Sequence, residues 1–243
     1  MKKKLLSFAF LTTLPVFFGY LFLGIAFGLL LSDAGYGAPW ALFMSIFVYA
    51  GSAQFMLAGL LAGGTSILTV SIMTLLINSR HMFYGLSFLE KFRQMGRRYP
   101  YMVFSLTDET YSLICSLKVP PEYAEDDALF LISLLDHIYW IFGSVLGALL
   151  GQIVPFDTTG IDFAMTALFI VIFTEQWLSY PTHLPAILGF ICAVISLVIF
   201  GPSNFILPAL IVTVTLLFVC RRYLEPFTKE EEQACPHSTL MQR

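Results

Sequence analysis

Charge is what this sequence has least of. Of its 243 residues only 12% are Asp, Glu, Lys or Arg, whereas 58% are hydrophobic and 16% aromatic, and the mean hydropathy is +0.80. A soluble domain is about 25% charged and about 45–50% apolar, so an ordinary soluble fold is excluded and a membrane protein is expected. Cysteine is also sparse: Cys115, Cys192, Cys220 and Cys235 lie far apart with no CxxC pair, which argues against a disulfide framework, a zinc site or redox chemistry. Basic residues are few, and their 13 Lys and Arg are outnumbered by 16 Asp and Glu. With no Gly-rich phosphate loop either, nucleotide and nucleic-acid partners have no support. HExxH, GxSxG and clustered His/Cys ligands are all missing, so a membrane-embedded enzyme is disfavoured, and no catalytic residue, metal or cofactor is expected.

What is present is long uncharged sequence. Leu5 to Ser32 runs for 28 residues, Ala34 to Ser79 for 46 and Gln176 to Cys220 for 45, where about 20 span the hydrocarbon. Lys2, Lys3 and Lys4 before the first run resemble a signal peptide, but a secretory apolar core is only about 7–15 residues, so the run reads as a first transmembrane helix. Apolar length and turn signals mark segments Leu5–Leu31, Trp40–Leu61, Ser66–Ile77 continuing toward Leu89, Tyr101–Leu117, Leu129–Val154, Phe163–Thr174, Pro185–Phe200 and Phe205–Val219. Breakers such as "SDAGYGAP" at 32–39 and "GPSN" at 201–204 connect them. The expectation is an all-α integral membrane protein, a polytopic helical bundle of about six to eight transmembrane segments, with broken or re-entrant helices. Residues 1–222 form the membrane domain and 223–243 a polar C-terminal tail.

Topology poses a conflict. The positive-inside rule puts Lys2–Lys4, the Lys91–Arg98 cluster and Arg221–Arg222 in the cytoplasm, with the N-terminus therefore cytoplasmic. If Leu5–Leu31 and Trp40–Leu61 each cross, a third crossing would carry Lys91–Arg98 outside. Re-entry of Ser66–Leu89 without crossing resolves this, provided protein or a wet cavity surrounds its irregular backbone. The side of the C-terminus then depends on whether Tyr101–Leu117 spans.

An internal echo is also visible. Gly24-x-x-x-Gly28 recurs as Gly147-x-x-x-Gly151, and "AGSAQ" ending at Gln54 recurs as "IFTEQ" ending at Gln176, at nearly the same offset. A candidate duplication has halves 1–120 and 129–220. Secondary transporters are commonly built from such repeats, with their sites at broken helices between them. Chance is the competing account, because Gly and Ala abound in sequences of this kind.

Polar side chains inside apolar runs need a reason, since a charge at the bilayer centre costs about 2.5–3.5 kcal/mol on insertion scales. In "VYAGSAQF", 48–55, Gly51 and Ala53 permit close backbone approach, and Tyr49, Ser52 and Gln54 supply hydrogen-bonding groups for a broken helix or a polar ligand. Helix packing with Ser and Gln as interhelical glue is the plainer reading. "INSRHMFY", 77–84, places Asn78, Arg80, His81 and Tyr84 at the end of the longest run. Arg80 and Tyr84 share a helix face, and Arg80 suits a substrate carboxylate, although an interfacial Arg reaching for headgroups explains it equally. "LTDETY", 106–111, carries Asp108 and Glu109, which cannot both ionise cheaply if poorly hydrated. One would then carry a proton near neutral pH, as proton coupling requires; an aqueous loop is the alternative. Asp136 and His137 open the Leu129–Val154 segment near an interface, and Glu175–Gln176 closes Phe163–Thr174. These acids and His137 are candidates for a proton relay.

"VYAGSAQF", "NSRHMFY" and "LTDETY", in this order after a basic start, resemble the AzlC family of bacterial branched-chain amino acid permeases over most of the chain. The resemblance implies a multi-pass protein of the bacterial inner membrane, a secondary transporter that exports its substrate. It also implies that this large subunit pairs with a small AzlD-type membrane protein. Small-residue faces at Gly24/Gly28 and Gly143/Gly147/Gly151 are compatible with such a partner. On this reading Tyr49, Ser52, Gln54, Asn78, Arg80, Tyr84 and Gln176 contact the amino acid, and Asp108, Glu109, Asp136, His137 and Glu175 serve a coupling ion, a proton. The rivals are a channel or carrier for another small polar solute, and a scaffold that assists another membrane protein.

Overall fold

The computed structural model describes residues 2–153, 163, 166–167, 170, 173–174, 177–178, 183–201 and 205–219, without the side chains of 2, 80, 82–87, 206–207 and 210. The chain divides into two compact units, Met1–Leu168 and Phe169–Arg243. Among the described residues every regular element is helical.

The first unit is organised on two long helices, α1 (Lys2–Asp33) and α8 (Glu125–Ile153), both long and apolar enough to cross a membrane. They run side by side in the same direction. Thr13 meets Tyr139, Gly24 meets Gly143 and Ser144, Gly28 meets Ala148, and Ser32 meets Gly151. Glycine makes this approach possible. A Cβ on Gly24 would stand 2.9 Å from the backbone of Gly143 and Ser144, and one on Gly147 would collide with the Ile25 backbone. The glycine faces expected to receive a partner subunit are therefore occupied within the chain, because each completes the other. Outward from the pair point Phe10, Leu11, Phe18, Phe22, Phe142 and Leu149, a surface suited to lipid.

Between these two helices the chain makes two partial excursions, one from each end. After Gly35 (φ +86°), α2 (Ala38–Phe47) descends alongside α8: Gly37 faces Gln152 and the Ser45 carbonyl reaches His137. Ten residues cover only about 15 Å, so α2 stops midway. The chain breaks at Val48–Ala50 and reverses into α3 (Gly51–Ala62). Gly51 faces Trp140, and a turn later Phe55 packs on Phe27, nearer the Asp33 end. Gly64 (φ +61°) turns the chain, and α4 (Ile67–Ser87), 21 residues or about 31 Å, descends the full length to α5 (Leu89–Gln94).

The second excursion starts from that end. A 3-10 turn, Gly96–Arg98, leads into α6 (Tyr99–Phe104), which climbs beside α8: Arg98 pairs with Asp127 at 2.6 Å, Tyr101 packs on Phe130 and Phe104 on His137. The helix breaks at Ser105–Thr107, and α7 (Asp108–Ser116) turns back. Tyr123 then packs against Phe8 before α8 begins. Lys91 bonds Glu125 at 2.8 Å and Asp126 at 3.2 Å. Burial works against the Lys91 ammonium, but these two carboxylates outweigh it and hold the amine above its ordinary range.

This path bears on three of the apolar segments. Trp40–Leu61 is not one crossing but a descent and a return, because Tyr49 takes a left-handed conformation (φ 41°) that no helix continues through. Ser66–Leu89, for which re-entry is one resolution of the charge conflict, holds the full-length helix α4. Tyr101–Leu117 is two short helices, since Thr107 caps α7 by accepting the Thr110 N–H at 3.3 Å. In the second unit, α9 (Leu184–Phe200) and α10 (Ile206–Val219) form an antiparallel hairpin through Gly201 (φ +73°), with Gly189 against Thr213.

Gly28→Ala places a Cβ against the backbone of Ser144 and Ala148 and is expected to lower stability toward the upper end of the about 1–3 kcal/mol typical of overpacking. Gly59→Ala, where nothing lies within 4 Å, should be neutral or stabilising by up to about 1 kcal/mol. Thermal unfolding of the two purified variants in detergent checks the contrast.

Candidate functional site

The two breaks meet halfway along α1 and α8. Tyr49 lies 6.2 Å from Phe104, ring centre to ring centre, and stacks on His137 at 4.1 Å. The break explains how His137 is held. Helical continuation would pair the Ser45 carbonyl with the Tyr49 N–H, but that N–H turns to Met44 instead (3.2 Å). The released carbonyl accepts from His137 Nε2 at 3.1 Å. Nδ1 then accepts from the Tyr101 hydroxyl at 3.2 Å, so the bonding fits a neutral imidazole with its hydrogen on Nε2.

Gln54 ties the first break to α8. Its Oε1 accepts from Trp140 Nε1 (2.9 Å) and from the Ala50 N–H (3.2 Å). No side chain caps the start of α3, and its first turn holds no acid. The start of α7 is the opposite, with Asp108 and Glu109 in its first turn. Positive half-helix ends therefore face the centre from both excursions, one bare and one carrying carboxylates.

Beside them runs a line of hydroxyl groups. Tyr20 Oη donates to Glu109 Oε2 at 2.8 Å and lies 2.7 Å from Thr107 Oγ1. Thr107 Oγ1 is 3.1 Å from Thr110 Oγ1, which donates to Asp136 Oδ2 at 2.8 Å. Asp136 sits about three turns into α8 and is fully buried; the expectation of an interfacial acid is corrected, because α8 starts earlier than its apolar stretch. Four fully buried polar atoms at the breaks find no partner among the described residues: Ser45 Oγ, Gln54 Nε2, Ser105 Oγ and Asp136 Oδ1. Leaving such a group unpaired costs about 1–3 kcal/mol. Several around one point favour a polar ligand there.

Of the sequence-derived candidates, Tyr49, Ser52, Gln54, Asp108, Glu109, Asp136 and His137 lie on the breaks or on the α8 face beside them. Asn78 lies on α4, with a buried Oδ1 that has no partner among the described residues, outside the hydrogen-bonded cluster. The side chains of Arg80 and Tyr84, and all of Glu175 and Gln176, fall outside the described residues. Sequence reasoning missed Tyr20, Thr107, Thr110 and Trp140. "TDET" carried a signal, since Thr followed by two acids marks a helix start; Tyr20 and Trp140 read as ordinary membrane aromatics.

The AzlC protein family matches residues 15–154, from the second half of α1 through the end of α8. The chain belongs to the AzlC family. The branched-chain amino acid transport protein AzlC of Bacillus subtilis is 41% identical over 217 residues, 89% of this chain and 85% of that one. An uncharacterized membrane protein of Helicobacter pylori strain 26695 is 45% identical over 218 residues, 89% and 95% of the two chains. The inner membrane protein YgaZ of Escherichia coli is 27% identical over 164 residues, 65% and 67%. No solved structure matches. Membership in a family of membrane transport proteins agrees with the apolar outer faces of α1 and α8, and places this AzlC chain in a membrane.

Gln54→Leu would strand both Trp140 Nε1 and the Ala50 N–H, at about 1–3 kcal/mol for each unpaired group. In a Trp140→Phe background the same change should cost measurably less. Thermal unfolding of the two single variants and the double variant gives this coupling.

Proposed function

We propose that this chain is the large subunit of a two-component secondary transporter that exports branched-chain and other neutral amino acids across the bacterial inner membrane, driven by a proton gradient. The observation that carries the reading is the meeting of two broken helices, from opposite ends, at a buried polar cluster halfway along α1 and α8. Transporter sites commonly sit at such discontinuous helices near the membrane midplane. The name of the Bacillus relative, a branched-chain amino acid transport protein, supports the substrate class.

The two half-helix starts fit the two ends of a zwitterion. The uncapped start of α3, at Gly51–Gln54, suits the carboxylate, with Gln54 Nε2 and Ser52 beside it. Glu109 and Asp136 suit the ammonium or the coupling proton, with Asp108 and His137 adjoining. Tyr49 and Phe104 bring apolar rings for an aliphatic side chain. Asn78, Arg80, Tyr84, Glu175 and Gln176 are assigned to the pathway on their sequence pattern alone.

The path of the chain also suggests a topology. If α1, α4 and α8 cross while α2–α3 and α6–α7 re-enter, Lys2–Lys4 and Lys91–Arg98 share one side. That arrangement satisfies the positive-inside rule for both basic clusters, with the N-terminus in the cytoplasm. Because the glycine faces of α1 and α8 are already engaged with each other, a small AzlD-type subunit would bind elsewhere, and the outward apolar faces are the surfaces left for it.

Inside-out vesicles containing this chain and a small AzlD-type subunit should accumulate labelled leucine, valine or isoleucine saturably under an imposed proton gradient, and Asp136→Asn should remove the gradient dependence. Linear, unsaturable flux would instead support a channel. Accumulation of none of the three would refute the substrate assignment.

A further inference from the structure

We propose that Glu109 and Asp136 hold a single shared proton between them, passed through the hydroxyls of Tyr20, Thr107 and Thr110. The hydroxyls along this line are one hydrogen short. Glu109, Tyr20, Thr107, Thr110 and Asp136 form an unbroken line joined by four oxygen–oxygen links of 2.8, 2.7, 3.1 and 2.8 Å. A hydrogen bond needs one hydrogen in each link, but the three hydroxyls supply three. With both carboxylates ionised, the ends draw the Tyr20 and Thr110 hydrogens outward. Thr107, with one hydrogen, can then fill only one of its two links, and two buried oxygens face each other without a proton. One added proton completes the line.

That proton has two resting places. On Glu109, each hydrogen points toward Asp136: Glu109 donates to Tyr20, Tyr20 to Thr107, Thr107 to Thr110 and Thr110 to Asp136, the direction in which the Thr107–Thr110 and Thr110–Asp136 bonds stand. On Asp136, the four links run in reverse, which requires the Thr107–Thr110 bond to turn round. Moving the charge between the carboxylates therefore requires each hydroxyl to give up one hydrogen and take another, with no net change in any of them. The line is also protected. Thr107, Thr110 and Tyr20 are buried, and Thr107 is fixed in place by capping α7. Among the described residues, the titratable groups that also face it include Tyr49, Tyr101 and Tyr139, with Asp108 and His137 adjoining in sequence. His137 has both ring nitrogens engaged away from the line, with Ser45 and Tyr101.

The inference deepens the proton-coupling part of the proposed function by naming where the proton resides, yet its primary test needs no transport. Infrared spectroscopy of the purified chain in detergent near neutral pH should detect one protonated carboxylic acid assignable to this pair. Glu109→Gln should abolish that band although Asp136 remains, because the amide N–H supplies the missing hydrogen and leaves Asp136 ionised. Asp136→Asn should abolish it by the same logic from the other end. A band that survives Glu109→Gln would mean that Asp136 is protonated on its own account, and no band in the unmodified protein would mean that no proton is held; either result overturns the proposal.

If an amide variant fails to fold, Thr110 gives a second test. Thr110→Val cuts the line at its bond to Asp136 while leaving both acids in place, and should lose gradient-driven accumulation while retaining exchange of labelled for unlabelled substrate. Thr110→Ser, which keeps the hydroxyl, should restore accumulation. Equal accumulation in Thr110→Val and Thr110→Ser would overturn the relay. Failure of every form, including the unmodified chain, to move amino acids would count against the proposed function and leave the infrared result to decide the shared proton.

Discussion

The close approach of α1 and α8 is the contact on which the rest of the first unit depends. Glycines at 24, 28, 143, 147 and 151 remove the side chains that would otherwise keep two helices apart. In a bilayer, where lipid tails are as apolar as leucine, such intimate packing supplies association that hydrophobicity cannot. Because the helices run in the same direction, the chain between them must start at one end and return to the other. One full-length helix, α4, accomplishes that return, and the two partial excursions add no net displacement.

Those excursions bring polar backbone to the middle of an apolar structure, and the local arrangement answers each group in turn. Breaking α2 releases the Ser45 carbonyl, and His137 on α8 accepts the task of bonding it. Starting α3 leaves the Ala50 N–H without a helical partner, and Gln54 folds back to it. Starting α7 is handled by Thr107. Irregular backbone at this depth survives only with such protein partners, so the polar residues of the site stabilise the breaks and also line the place where a ligand would sit. Left-handed Tyr49 belongs to the same economy of strain: a non-glycine residue in that region costs roughly 1–3 kcal/mol, and its ring stacks on His137 with Phe104 beside both.

Much of this was legible in the chain. The break at "VYAGSAQF" announces itself because Tyr, Ser and Gln interrupt an uncharged run far longer than one crossing needs, and the paired glycines on α1 and α8 are visible as a repeated spacing. Asp108, Glu109 and Asp136 stand out for the same electrostatic reason. What could not be read was which apolar stretch turns back. Residues 38–62 and 66–87 are similar in length and composition, and the choice between them rests on the backbone of Tyr49 and on contacts with Trp140 and Phe27. Nor could the glycine faces be assigned, because a small-residue stripe looks identical whether it meets a partner subunit or another helix of its own chain. Tyr20 and Trp140 stayed hidden because an aromatic in a membrane helix is commonplace until its polar tip finds a partner.

By itself, then, the sequence determined the solvent and the inventory: a chain this apolar and this poor in charge must form helices in a bilayer, and the few polar residues it places there must be shielded from lipid. Tertiary structure decided the arrangement, since hydrogen bonds between Tyr20 and Glu109, between Thr110 and Asp136, and between His137 and Ser45 join residues 26 to 92 positions apart. Hydropathy is a local property that any window of residues reports, whereas a buried hydrogen bond requires two distant atoms within about 3 Å, and only the packing of the broken helices against α1 and α8 brings them there.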